Sequence, residues 1–98
     1  MNIKILLVDD HQVFSTSLKM VLEANNYEVD IAKEVHLAIK FLKANSYDLL
    51  ISDIEMPETN GVDLIRIIHQ NKSDFTKVPK TIVLTSYHKI SLFKKFSI

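Results

Sequence analysis

Two short apolar runs in this chain end in aspartate. Ile3-Lys4-Ile5-Leu6-Leu7-Val8 leads into Asp9-Asp10, and Asp48-Leu49-Leu50-Ile51-Ser52 leads into Asp53. If the two runs are neighbouring parallel strands, three carboxylates meet at one sheet edge. Clustered anions repel one another and lose hydration together, so they are costly unless a cation sits among them. Mg²⁺ takes hard oxygen donors from one or two carboxylates and keeps several waters, which makes Asp9, Asp10 and Asp53 candidate metal ligands. Carboxylates also form aspartyl phosphates. Asp53 is therefore a candidate nucleophile toward a phosphoryl group, with the cation screening the repulsion between the attacking and phosphoryl oxygens. Thr85, after Thr81-Ile82-Val83-Leu84, is the candidate hydroxyl to donate to a phosphoryl oxygen. Taken singly, a strand-end Asp is better explained as a turn former or helix cap, and a strand Thr by its β-branch. Together, three acids and a hydroxyl at strand ends make coincidence the poorer account.

The elements that must position these residues alternate along the chain. Ile3–Val8 reads as a buried strand. Phe14, Leu18, Val21 and Leu22 follow at helical spacing, with Val13 flanking. Tyr27-Glu28-Val29-Asp30-Ile31 alternates like a half-exposed strand. Val35, Ala38, Ile39 and Leu42 return to the helical period, and Leu49–Ile51 is a second buried run. Val62, Leu64, Ile65 and Ile68 predict a third helix after Gly61, Thr81–Thr85 a fourth strand, and Ile90, Phe93 and Phe96 a last amphipathic helix. The order β-α-β-α-β-α-β-α predicts an α/β fold, a parallel sheet with helices on both faces. In such sheets ligands sit beyond the carboxyl ends of the strands, where Asp9, Asp10, Asp53 and Thr85 fall. Asn71–Pro79 is polar and reads as the loosest loop. Gly61 is the chain's single glycine, which suggests that the turn after Met56-Pro57 needs a positive φ.

Composition narrows the classes. At 98 residues, with 47% hydrophobic and 24% charged residues, residues 1–98 read as one globular domain. No apolar run is long enough to span a bilayer, the first residues lack a signal-peptide layout, and there is no cysteine for a disulfide, thiolate or zinc site. The expected location is the cytoplasm. Net charge is zero but polarised: residues 1–65 hold five lysines against eleven acids, and residues 66–98 hold Arg66 and six lysines against Asp74. A solvated basic surface explains this more simply than a docking face, and direct nucleic-acid binding is not expected without a reading motif. His11, beside two acids, is a candidate metal ligand, though a hydrophilic helix-start role explains it more simply, while His36, His69 and His88 show no ligand spacing. No phosphate-cradling glycine-rich loop is present.

Val8-Asp9-Asp10-His11, Asp53 with Met56-Pro57 and Gly61, and Leu84-Thr85-Ser86 together resemble the receiver domain of bacterial two-component response regulators. The likeness is greatest to receivers that precede helix-turn-helix DNA-binding domains. It implies a flavodoxin-like sheet of order 2-1-3-4-5 and a phosphoryl group accepted from a sensor histidine kinase, with Mg²⁺, on Asp53. It also implies metal binding by Asp9 and Asp10 and a phosphoryl-sensing role for Thr85. Such a domain is not an enzyme beyond assisting its own phosphoryl transfer. The sequence departs from the family by stopping at Ile98, before the fifth strand, its lysine and the fifth helix; Lys94 and Lys95 fall too early to replace that lysine. A receiver without those elements is expected to expose the fourth strand and to form a homodimer there. The alternative function is a phosphorylation-independent interaction or dimerisation module, a degenerate receiver that keeps the acid cluster and binds a kinase or another regulator without switching.

Overall fold

A computed structural model of the chain describes residues 2–54 and 61–84. Four strands, β1 (Lys4–Val8), β2 (Glu28–Ala32), β3 (Leu49–Asp53) and β4 (Lys80–Leu84), pair in parallel in the order β2-β1-β3-β4. Helices α1 (Gln12–Ala24), α2 (Val35–Ala44) and α3 (Gly61–Gln70) connect them. This is the predicted α/β alternation, with the flavodoxin-like order over the strands described. Thr85, the loop at Met56-Pro57 and the predicted last helix lie outside the described residues. Among the described residues, no helix is long and apolar enough to cross a membrane.

The strand period of two divides the core between the faces of the sheet. Leu6, Val8 and Leu50 pack with Val35, Ala38 and Leu42 of α2 and Leu64 and Ile68 of α3. Ile5, Leu7 and Ile51 pack with Phe14 and Leu18 of α1. Both central strands are covered on both sides, which is why they read as continuous apolar runs rather than alternating ones. Leu6, Leu7 and Leu50 are fully buried, each contributing roughly 1.5–3 kcal/mol relative to an exposed side chain.

Among the described residues Asn26 takes a positive φ, 68°, while the turn after Met56-Pro57 lies outside them. The Asn26 N–H donates to the Glu23 carbonyl and the Tyr27 N–H to the Leu22 carbonyl, both at 3.1 Å. This is the double hydrogen bond of a Schellman helix end. Asparagine tolerates the left-handed region better than other residues with a side chain. One expectation is corrected: Asn71–Pro79 is no loose loop. Phe75 is buried in the core beside α2 and α3, the Thr76 hydroxyl donates to the Leu42 carbonyl at 3.0 Å, and Lys77 Nζ lies 2.6 Å from Asp48 Oδ1. Polar composition marked the segment as surface, but its one aromatic residue pins it.

Asp48 closes the end of the sheet remote from the strand-terminal acids. Its Oδ2 accepts from the Lys4 N–H at 2.9 Å, and its own N–H donates to the Lys4 carbonyl at 2.8 Å. The Lys4 hydrogen bond, aided by Lys77, holds the Asp48 carboxyl below the usual carboxylate range. These contacts lock the β1–β3 register, Ile5 to Leu49 through Val8 to Ser52, and so the alignment of the opposite end.

Candidate functional site

One step beyond the Val8–Ser52 pair, the β1–β3 register places Asp9 beside Asp53. Side-chain alternation puts Ile5, Leu7 and Asp9 in one row and Leu49, Ile51 and Asp53 in the adjacent row, both on the α1 face. The Asp9 N–H donates to the Ala32 carbonyl at 3.0 Å, and the Ile54 N–H donates to the Leu84 carbonyl at 3.1 Å. Each aspartate is thus held by a backbone ladder that runs past the formal strand end. Asp9 and Asp53 are buried, whereas Asp10 is more open to solvent, at the turn into α1.

Asp9, Asp10, His11 and Asp53 form one cluster, each offering a ligand atom, and these atoms lie within 4.8 Å of one another. The three predicted acids therefore converge. The fourth member, His11, is the N-cap residue of α1, yet its side chain makes no capping hydrogen bond. Its Nδ1 lies 3.1 Å from Asp9 Oδ1, 3.2 Å from Asp10 Oδ1 and 3.9 Å from Asp53 Oδ2. Its N–H donates to Asp9 Oδ1 at 2.8 Å. The simpler helix-start reading of His11 does not account for this placement. The signal available was its adjacency to two acids, which does not reveal the direction of the ring.

The donor chemistry fits a hard divalent cation. Three carboxylates from two strand ends supply oxygen ligands, and the more open Asp10 side leaves room for the waters that Mg²⁺ retains. Leu84 pairs with Asp53, and Thr85 follows it in sequence but lies outside the described residues.

The sequence profile of the response regulator receiver domain matches residues 5–97. The transcriptional regulatory protein ResD of Bacillus subtilis is 44% identical over 71 residues, covering 71% of this chain and 29% of ResD. The response regulator ArlR of Staphylococcus saprophyticus is 36% identical over 70 residues, covering 71% of this chain and 32% of ArlR. The chain thus spans about a third of the length of these curated relatives. Among solved structures, the response regulator protein TrrA of Thermotoga maritima in complex with Mg²⁺-BeF is similar, with TM-score 0.76 and 36% identity, covering 97% of this chain and 76% of that one. TrrA in complex with the histidine kinase ThkA matches with TM-score 0.75 and 38% identity, covering 89% of this chain and 71% of that one. The family match over nearly the whole chain agrees with the parallel sheet and its strand-end acids: this chain belongs to the response regulator receiver domain family.

Proposed function

We propose that this chain, as one receiver domain over residues 1–98, accepts a phosphoryl group from a histidine kinase at Asp53, with Mg²⁺ held by Asp9, Asp10 and Asp53. The observation that carries this is the convergence of those three carboxylates within 4.8 Å at the carboxyl ends of the two central strands. An Asp53 carboxylate oxygen forms the new P–O bond while the P–N bond to the donor imidazole breaks, and the phosphoryl group passes from one to the other without a redox change. The cation, when bound, neutralises charge on the phosphoryl oxygens and offsets their repulsion from the attacking carboxylate. Asp53 is fixed for this role by its place as the last residue of β3, between β1 and β4. We assign Thr85 the hydroxyl that donates to a phosphoryl oxygen, on its place in the sequence after Leu84. The Mg²⁺-BeF form of TrrA and its complex with ThkA support the choice of cation and of partner.

Incubation with a small phosphodonor and Mg²⁺, followed by intact-mass measurement, tests the assignment. One added phosphoryl group on the wild-type chain is expected, and none on Asp53→Ala. A wild-type chain that gains no phosphate would instead support the phosphorylation-independent module.

A further inference from the structure

We infer that His11 is a fourth protein ligand of the cation site, through Nδ1, and that the site consequently takes imidazole-binding transition-metal ions in addition to Mg²⁺. This rests on the reading that Asp9, Asp10 and Asp53 hold a cation. It adds a donor that the three-carboxylate assignment does not contain.

The geometry carries the argument. Ligands about 2.1 Å from a metal ion and adjacent in its coordination shell are about 3 Å apart, and opposite ones about 4.2 Å apart. Nδ1 lies 3.1 Å from Asp9 Oδ1 and 3.2 Å from Asp10 Oδ1, the spacing of adjacent ligands, and 3.9 Å from Asp53 Oδ2, between adjacent and opposite. The ring does not cap α1. Its backbone is tied to the site, with the His11 N–H on Asp9 Oδ1 at 2.8 Å and the His11 carbonyl accepting from the Ser15 N–H at 3.0 Å. Only the side-chain torsions remain to move the imidazole. The ring is also 63% exposed, so it can turn the Nδ1 lone pair toward an ion without repacking the core. Without metal, an Nδ1–H tautomer donates to the carboxylates; with metal, the Nε2–H tautomer leaves Nδ1 free to ligate.

The consequence is selectivity. Mg²⁺ prefers oxygen donors and gains little from an imidazole. Co²⁺, Ni²⁺ and Zn²⁺ accept imidazole readily, so one nitrogen among carboxylates raises their affinity over an all-oxygen site.

The test is calorimetric titration of the full 98-residue chain with Co²⁺ and, separately, with Mg²⁺ at one fixed neutral pH, for wild type, His11→Ala and Asp53→Asn. We expect His11→Ala to weaken Co²⁺ by at least about ten-fold and Mg²⁺ by a clearly smaller factor. Nitrogen NMR of the histidine rings during Zn²⁺ titration is expected to show one Nδ1 resonance shifting, and that resonance absent from His11→Ala. The inference is overturned if His11→Ala leaves Co²⁺ affinity unchanged, if it weakens both ions equally, or if no Nδ1 resonance moves. Asp53→Asn binding both ions like wild type would overturn it by removing the carboxylate site on which it rests. Phosphate uptake by the wild-type chain is scored separately: its absence alongside His11-dependent Co²⁺ binding sinks the phosphoacceptor reading and upholds this one.

Discussion

Neutralising one member of the acid cluster is expected to make the metal-free protein more stable, contrary to the usual result of changing a buried residue. In Asp53→Asn the side chain keeps its shape and loses its charge. The cluster's ligand atoms lie within 4.8 Å of one another; unit charges at that distance, at an effective dielectric constant near 20, repel by about 3.5 kcal/mol per pair. Asp53 faces two other carboxylates, but the His11 ring and the backbone donor on Asp9 offset part of that repulsion. A net gain of about 2 kcal/mol is a reasonable share to survive, equivalent to a rise in Tm of roughly 8–16 °C for a domain of this size. The assay is thermal unfolding by far-ultraviolet circular dichroism, first in chelator and then in Mg²⁺. Wild type gains about 2.7 kcal/mol at 100 times its dissociation constant for the ion, while the variant, missing a ligand, gains less, so the gap narrows or reverses. Asp53→Asn melting at or below wild type in chelator would refute the reasoning, because the carboxylates would then not be in repulsive contact.

Two further outcomes follow from the other charged contacts. Tyr47 is fully buried and its hydroxyl donates to Asp30 Oδ2 at 2.6 Å; burial first, then Asp30, pushes its ionisation well above the ordinary phenol range. Tyr47→Phe is expected to lower unfolding stability by about 1.5–3 kcal/mol in urea titration, the value of a hydrogen bond to a charged group. In alkaline titration followed by absorbance, Tyr47 should ionise only as the protein unfolds. Because the folded Asp48 carboxyl lies below its ordinary range, its stabilising contribution is complete above that range and is lost as pH falls through the lowered folded value. Asp48→Asn should therefore cost more stability at neutral pH than at about pH 3, as read from denaturant midpoints; an equal cost at both would contradict the linkage.

The alternation of short apolar runs with segments of helical period was enough to specify the parallel α/β layers, because each run is too short for a helix and each helical segment follows a run. It also singled out Asp9, Asp10 and Asp53, since a charge that ends an apolar strand has few places to go other than the sheet edge. The Schellman end at Asn25-Asn26 was present in the residues and passed over, because asparagine pairs signal several kinds of turn. Phe75 and Thr76 could not be assigned from composition, because what anchors them is α2, about thirty residues earlier in the chain.

What only the tertiary structure decided is distance and direction. The β1–β3 register, locked at its far end by Asp48 and Lys4, sets Asp9 beside Asp53, and a slip of one residue would have turned one of them to the opposite face. The orientation of His11 is likewise a torsional choice. Residue type admits both a solvent-facing imidazole and one aimed at the acids; in the fold the ring lies against Asp9 and Asp10, with Asp53 of the separate strand β3 a little farther off.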